Sequence, residues 1–162
     1  MHIQIIETSL DFYKTLSDEL EKSHLIVDPD EYTLFEEPDH RYFAAYDSGS
    51  LAGVSAMTKY VSGRDKATRV YHRLSWTHPD YRRQGIWTKI MHHKFLYCKQ
   101  HSWCVDKTTH LSSCSVMDDR YRNLGWKYWR TGQQPISDGS IRLRDWWHTD
   151  WQQIKTSFHI ED

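Results

Sequence analysis

A strand, a polar loop and an amphipathic helix follow one another directly in the middle of the chain, and this arrangement constrains the fold most. Lys66–Thr77 is rich in β-branched and aromatic residues and ends at His78-Pro79, where proline stops a sheet ladder. Gly85–Gln100 then carries apolar residues at helical spacing. A strand that leads straight into a helix predicts an α/β fold, in which a mixed sheet has helices on both faces.

The remaining segments extend this plan to a sheet of about seven strands. Further strands are predicted at Ile3–Ile6, Arg41–Tyr46, Leu51–Tyr60, Trp103–Thr109, Trp126–Thr131 and Ser140–Trp147. Further helices are predicted from Thr8 or Ser9 to about Ser23 and over Ser115–Asn123, with Gly125 as a C-cap. The acidic stretch Leu25–Asp39 is interrupted by prolines and is expected to be irregular or a short helix.

The length and the net charge of the chain limit the number of domains and the kinds of partner it can have. A chain of 162 residues fits one domain, 1–162, with a core at about 3–147 and a C-terminal tail at 148–162. Apolar residues make up only 38%, but an aromatic share of 14% supplies large buried areas, so we expect an adequate core. The net charge is −1 with both signs intermixed, and nucleic acid is therefore not an expected partner.

No segment indicates a membrane or an oxidising compartment. The chain has no apolar run near the roughly 20 residues that span a bilayer. Met1–Leu10 lacks a basic segment followed by an apolar stretch, so no signal peptide is predicted. The chain has an odd number of cysteines, Cys98, Cys104 and Cys114. No two of them form a C-x-x-C pair, so the pattern does not suggest a disulfide framework. We expect a cytoplasmic protein with no membrane partner.

The loop between the central strand and helix is suited to phosphate. The start of a helix leaves backbone N–H groups unpaired and carries positive potential. Gly85 permits a close backbone approach, and Arg82 and Arg83 add positive charge beside it. Taken alone, the same residues also fit a basic surface turn before an amphipathic helix.

Three blocks in the chain resemble those of the GNAT-type N-acetyltransferases. Tyr81–Trp87 is similar to the family's R/Q-x-x-G-x-G/A signature and follows a typical His-Pro-Asp-Tyr approach. Asp118–Trp126 resembles its Y-x-x-x-G-F block, and Tyr42–Val54 resembles its second and third strands. The blocks occur in the family's order, and the resemblance extends from about Ile3 to Trp147.

The resemblance implies a splayed sheet and a coenzyme site for acetyl-CoA. The pantetheine arm would pair with the strand backbone at Ser75, Trp76 and Thr77. The pyrophosphate would lie on the loop, whose proposed coenzyme-binding residues are Arg82, Arg83, Gln84, Gly85, Ile86, Trp87 and Thr88. Two positions depart from the family pattern: Trp87 stands where Gly or Ala is usual, and Cys114 stands where many relatives place an Asn.

The resemblance also indicates candidates for the chemistry. Acyl transfer needs a deprotonated amine, donors for the oxyanion and an acid for the departing thiolate. Tyr121 matches the family's usual acid, although an aromatic that only packs the helix on the sheet is the alternative. The glutamate that relatives often use as a base has no counterpart. His110 is a candidate base, while a solvated loop histidine, a water relay or an amine that arrives already neutral remain open. Arg73 alternates with Ser75 and Thr77 and is a candidate for acceptor binding.

The histidines do not indicate a metal site, and the tryptophans indicate packing. His92 and His93 are adjacent in a helix and point about 100° apart, so they cannot chelate one ion together, and no metal is expected. Tryptophans concentrate in the C-terminal hairpin, where most are core and some could line an acceptor pocket or a subunit contact in a homodimer.

The sequence thus predicts an acyl-CoA-dependent N-acyltransferase, most simply an N-acetyltransferase, that acts on a small-molecule or peptide amine. A coenzyme-binding or partner-binding module that has the fold without the activity is the alternative. The second alternative is a structural α/β protein in which the basic loop has no binding role.

Overall fold

The computed structural model describes residues 1–22, 39–103, 107–112, 115–135 and 139–162. This part of the chain contains seven strands, five α-helices and a 3₁₀ turn at Pro79–Tyr81. In chain order the elements are β1 Ile3–Thr8, α1 Leu10–Lys14, α2 Ser17–Lys22, β2 His40–Asp47, β3 Ser50–Val61, β4 Thr68–Thr77, α3 Ile86–Gln100, β5 Lys107–Ser112, α4 Ser115–Asn123, β6 Lys127–Pro135, β7 Ile141–Thr149 and α5 Trp151–Phe158. No helix in these ranges is long and apolar enough to cross a membrane.

The strands are hydrogen-bonded in the order β1-β2-β3-β4-β5-β7-β6, and the chain divides into two compact units. The first unit comprises Met1–Thr58 and Arg73–Tyr97. The second unit comprises Lys59–His72 and Cys98–Asp162. The long strands β3 and β4 each run through both units, so the boundary falls within strands and not at a linker.

In the first unit, three antiparallel strands support two short helices. β1 pairs with β2 from Ile3↔Asp47 to Thr8↔Tyr42, and β2 continues into the β3 hairpin. Ser9 begins α1 by accepting a hydrogen bond from the Phe12 N–H at 3.2 Å. The apolar residues of α1 and α2 pack on one sheet face in a cluster that contains Tyr13, Leu20, Tyr42, Ala44, Val54, Ala56, Leu74 and Trp76.

Within the first unit, helix α3 packs on the sheet at a small-residue position in β3. A Cβ added at Gly53 would lie 2.8 Å from the Trp76 carbonyl oxygen and 3.1 Å from the Ile86 side chain. Gly53 therefore lies at a close approach of β3, β4 and α3. Phe43 of β2 meets the same helix edge-on, with its ring 5.5 Å from the rings of His93 and Tyr97.

In the second unit, β4 pairs in parallel with β5, and a C-terminal hairpin completes the sheet. The parallel pairing joins Arg69–His72 to Lys107–His110. β7 lies antiparallel between β5 and β6. α5 follows, capped by the Asp150 carboxylate, which accepts from the Gln153 N–H at 2.8 Å, and it buries Ile154 and Phe158. The tail at 148–162 therefore ends β7 and forms a packed helix.

Several predicted elements are confirmed, and three predicted boundaries are wrong. The strand predicted at Trp126–Thr131 runs on as β6 to Pro135. The helix Ser115–Asn123 and its left-handed cap Gly125 (φ 76°) agree with the sequence prediction. The single helix predicted to about Ser23 is two helices, because the Thr15 hydroxyl bonds back to the Phe12 carbonyl oxygen at 2.6 Å and the first helix closes there.

The strand predicted at Trp103–Thr109 begins later, at Lys107 among the described residues. Ser102 is left-handed (φ 56°) and the Trp103 N–H donates to the Cys98 carbonyl oxygen at 2.6 Å, so Trp103 closes the end of α3. The predictions at Leu25–Pro38, at Cys104–Asp106 and at Cys114 lie outside the described residues.

Candidate functional site

The second half of β4 forms one side of the candidate coenzyme site. Side chains alternate along the strand as predicted: His72, Leu74 and Trp76 are buried, while Arg73, Ser75 and Thr77 are half-buried. Leu74 has a left-handed backbone (φ 53°) inside the strand. A bulky residue rarely adopts that conformation, and such strain concentrates at functional sites. The predicted pantetheine-binding residues Ser75–Thr77 follow it directly.

The loop after β4 is held in shape by its own backbone and side chains. The His78 N–H donates to the Ala52 carbonyl oxygen at 3.0 Å and fixes the loop to the start of β3. The His78 imidazole accepts from the Asp80 N–H at 3.3 Å, and the Gln84 amide donates to the Asp80 carbonyl oxygen at 2.8 Å. The Arg82 Nε donates to the Thr77 carbonyl oxygen at 3.3 Å, so the loop folds back on the strand that precedes it.

The loop ends in an open cradle at the start of α3. Arg83 (φ 64°) and Gly85 (φ 77°) are both left-handed, and a Cβ added at Gly85 would meet no atom within 4 Å. The Lys89 backbone N–H donates to the Gly85 carbonyl oxygen at 3.0 Å in the first turn of the helix. The N–H groups of a helix's first turn have no acceptor within the helix, and those of α3 follow directly on Gly85, Arg82 and Arg83 in the chain. This arrangement can bind a phosphate group.

A buried lysine lies beneath this site, and sequence reasoning missed it. Lys94 of α3 is 0% exposed and donates to the Ser55 Oγ at 2.6 Å and the Ala56 carbonyl oxygen at 2.8 Å. The Ser55 Oγ lies 2.8 Å from the Ser75 Oγ, so a hydrogen-bonded chain joins α3 to β3 and β4. The signal was present, because Lys94 is four residues after Ile90 and so falls on the apolar face of the helix.

The two candidate catalytic residues, Tyr121 and His110, belong to the second unit. Tyr121 of α4 is 4% exposed, and its ring stacks on Trp126 at 4.7 Å and meets Trp147 at 5.9 Å. His110 lies in β5 in register with His72 of β4. Arg73 and all the predicted coenzyme residues belong to the first unit.

Within the ranges that the structure describes, no group of three or more His, Cys, Asp or Glu side chains could hold a metal ion.

Comparison with known proteins identifies a family. The family described as "Acetyltransferase (GNAT) family" matches residues 9–126. No curated protein matches the chain.

The fold is shared with solved acetyltransferases at low sequence identity. NAA60 of Arabidopsis thaliana in complex with acetyl-CoA is 15% identical, with a TM-score of 0.72, and the match covers 93% of this chain and 99% of that one. The ribosomal-protein-S18-alanine N-acetyltransferase from Escherichia coli is 14% identical, with a TM-score of 0.65 and coverage of 91% and 92%. Arabidopsis thaliana Naa50 in complex with the bisubstrate analogue CoA-Ac-MVNAL is 16% identical, with a TM-score of 0.63 and coverage of 93% and 100%.

Proposed function

The chain belongs to the GNAT acetyltransferase family, and we propose from this premise that it transfers an acetyl group from acetyl-CoA to an amine. The observation that carries the proposal is the cradle at Gly85, where a left-handed glycine borders open space at the N-terminus of α3. The pyrophosphate of the coenzyme binds the backbone amides from Arg83 to Thr88, and Arg82 and Arg83 balance its charge.

The pantetheine arm lies alongside β4 and hydrogen-bonds to its backbone at Ser75–Thr77. This stretch follows the part of β4 that pairs with β5, namely Arg69–His72. Two features support the assignment: the strained Leu74 precedes the stretch, and the Ser55–Ser75 contact above Lys94 steadies it. Extended backbone is suited to an amide-bearing arm, which can hydrogen-bond to a strand as another strand would.

The reaction is direct attack. The amine nitrogen bonds to the acyl carbon, the carbon–sulfur bond breaks, and the thiolate takes a proton while the new amide nitrogen loses one. Tyr121 supplies the proton to the thiolate, as the family resemblance implies. The proton from the amine passes to His110 or to a water relay.

The acceptor is a small-molecule or peptide amine. Support comes from the neighbouring folds: the structure of Arabidopsis thaliana Naa50 holds a bisubstrate analogue, and the Escherichia coli neighbour is named for the alanine of a ribosomal protein. Arg73 gives the acceptor site a guanidinium that favours a carboxylate or phosphate on the acceptor. Replacement of Arg73 by Ala should therefore lower kcat/KM on the true acceptor.

Coenzyme binding is tested by melting the protein with and without acetyl-CoA. A ligand that binds only the folded state raises the melting temperature by mass action. Gly85→Glu should abolish the rise, because it places bulk and negative charge against the pyrophosphate.

The matched control is Gly49→Glu. Gly49 is also left-handed (φ 90°) with no atom within 4 Å of an added Cβ, but it lies in the turn between β2 and β3. The control should keep the acetyl-CoA shift despite an equal backbone strain and charge change. If millimolar acetyl-CoA, a saturating concentration, does not raise the melting temperature of the wild-type protein, the proposal is wrong. A shift without turnover over a panel of amines would favour the coenzyme-binding module without activity.

A further inference from the structure

The hydrogen-bonded chain that joins α3 to β3 and β4 begins at a fully buried amine. Lys94 is 0% exposed, and its Nζ donates to the Ser55 Oγ at 2.6 Å and to the Ala56 carbonyl oxygen at 2.8 Å. A lysine ammonium has three donors and no acceptor, so Ser55 accepts in this contact. Lys94, Ser55 and Ser75 all belong to the first unit, and we call their side chains the Lys–Ser–Ser chain.

The amine gives the Lys–Ser–Ser chain a direction. The Ser55 and Ser75 Oγ atoms lie 2.8 Å apart, and either hydroxyl can donate at that distance. Ser55 is 1% exposed, and among the described residues its hydroxyl contacts only Lys94 and Ser75. If Ser55 accepted from both, its buried proton would have no acceptor there, which is costly. Ser55 therefore donates to Ser75, and the Ser75 proton points away from Ser55.

The hydroxyl proton of Ser75 is left for an acceptor that the described residues do not supply. Ser75 is half-buried, whereas Ser55 behind it is buried. In the described part of the chain, the Ser55 hydroxyl is the one group within hydrogen-bond distance of the Ser75 hydroxyl. An oriented donor with this proton unused, inside the stretch proposed to bind the pantetheine arm, indicates an acceptor atom on the ligand.

The place of Ser75 along β4 indicates which ligand atom this is. The proposed pyrophosphate site at Gly85 follows the C-terminal end of β4, so the arm extends from there back along the strand. Its acyl end then lies at the far residue of the Ser75–Thr77 stretch, which is Ser75. The acyl carbonyl oxygen becomes negative when an amine attacks, and a fixed donor to that oxygen stabilises the transition state. A charge at the head of a hydrogen-bonded chain strengthens the donor at its end.

We propose that the Ser75 hydroxyl donates to the thioester carbonyl oxygen of acetyl-CoA, and that Lys94 positions and polarises this donor through Ser55. The inference rests on the proposed acetyl transfer. As the amine nitrogen bonds to the acyl carbon, the π electron pair of the carbonyl moves onto oxygen and meets the Ser75 O–H. The pair returns as the carbon–sulfur bond breaks, the thiolate takes a proton, and the amide nitrogen loses one. Ser75 keeps its own proton throughout.

The carbonyl stretching frequency of bound acetyl-CoA tests the donor without an acceptor amine. Infrared difference spectra of the full chain use acetyl-CoA that is isotope-labelled at the acetyl carbonyl carbon. A hydrogen bond to the oxygen weakens the carbon–oxygen bond, so the frequency should be lower in the wild type than in Ser75→Ala. Lys94→Met should give an intermediate frequency, because Ser55 still donates to Ser75 but the charge is gone. A purely structural role for Lys94 would leave the frequency unmoved in every variant that folds.

Turnover with an amine that the wild type acetylates gives the second measurement. Ser75→Ala should lower kcat by about 10²-fold, the usual cost of one lost oxyanion donor, while the KM for acetyl-CoA stays within about threefold. Lys94→Met should lower kcat by at least about threefold through the weakened donor. Ser62→Ala is the control: Ser62 is 7% exposed, and its hydroxyl accepts from the Arg64 N–H at 3.3 Å. It should leave both the frequency and kcat unchanged.

The outcomes separate this inference from the proposed function. If acetyl-CoA binds with the same carbonyl frequency in the wild type and in Ser75→Ala, the inference is wrong and the proposed function stands. If the wild type binds no acetyl-CoA, both are wrong. An unchanged frequency and kcat in Lys94→Met would remove Lys94 from the inference. Should that variant not fold, Ser55→Ala interrupts the same chain and should give the intermediate frequency, and a wild-type frequency there would contradict the relay.

Discussion

Single residues shape the candidate coenzyme loop through their backbone angles. Gly85 adopts its left-handed conformation without a steric cost because it has no Cβ. Arg83 adopts a similar φ angle, in which its Cβ is crowded against the backbone. The chain accepts that cost in the segment where the proposed pyrophosphate site needs its amides directed outward. Trp87, in the first turn of α3, is half-buried, so its indole is partly packed while the turn begins.

The first residue-scale prediction concerns Trp87, which stands where the family usually has Gly or Ala. If its amide alone serves the phosphate, Trp87→Gly should leave acetyl-CoA affinity within about tenfold, or ~1.4 kcal/mol. Calorimetry on the wild type and the variant measures the difference. A larger loss would mean that the indole itself belongs to the coenzyme site.

The second residue-scale prediction concerns the proposed acid. Tyr121→Phe should lower kcat by about 10²-fold or more, while acetyl-CoA affinity changes little. The change removes only the hydroxyl and keeps the ring that stacks on Trp126, so the variant should melt as the wild type does. A kcat within about threefold of the wild-type value would transfer the role to a bound water or to another phenol such as Tyr71.

At the scale of elements, the candidate site depends on how closely β3, β4 and α3 approach. Gly53 allows the β4 backbone at Trp76 and the first turn of α3 at Ile86 to lie against β3. The chain from Lys94 through Ser55 to Ser75 joins the same three elements by hydrogen bonds. The coenzyme loop connects β4 to α3, so its shape follows from this packing.

The element-scale prediction is that Gly53→Ala destabilises the protein by about 1–3 kcal/mol, the usual cost of overpacking. The new Cβ would lie 2.8 Å from the Trp76 carbonyl oxygen, and backbone cannot rotate away as a side chain can. Chemical denaturation measures the loss. Gly63→Ala is the control and should be nearly neutral, because no atom lies within 4 Å of its added Cβ. Equal stability of the two variants would contradict the packing.

At the scale of the whole molecule, several groups make the folded state sensitive to acid. Burial, reinforced by the charge of His92, holds the pKa of His93 below its ordinary value. The Ala67 N–H lowers the pKa of Asp65, and the Lys155 ammonium lowers that of Asp162. In each case the unfolded chain takes up protons more readily, so the free energy of unfolding falls as the pH falls.

The whole-molecule prediction isolates His93. Its contribution is fully present above the unfolded pKa, near 6.5, and is lost as the pH falls through the lower folded pKa. His93→Gln should therefore flatten the dependence of the unfolding free energy on pH below about pH 6.5. Denaturation curves across that range measure the slope. His2→Gln, at the exposed N-terminus, should leave it as in the wild type. An unchanged slope in His93→Gln would contradict the assignment.

The sequence by itself determined the local features of this protein. The strand before the loop, the start of α3, the Ser9 cap and the helix Ser115–Asn123 all follow from the identity of neighbouring residues and their spacing. The motif blocks also predicted the GNAT family, which the family match confirms. The roles of the coenzyme and catalytic residues remain predictions, because a spacing indicates chemistry without measuring it.

The tertiary structure decided which distant residues meet. Gly53 contacts Trp76, Lys94 reaches Ser55, and Asp118 and Asp145 line one cleft. Each of these contacts joins residues that are 23 or more positions apart, and no local propensity specifies such a distance. It also decided that the tail forms a helix, because burial of Ile154 and Phe158 stabilises eight residues that would be a marginal helix alone.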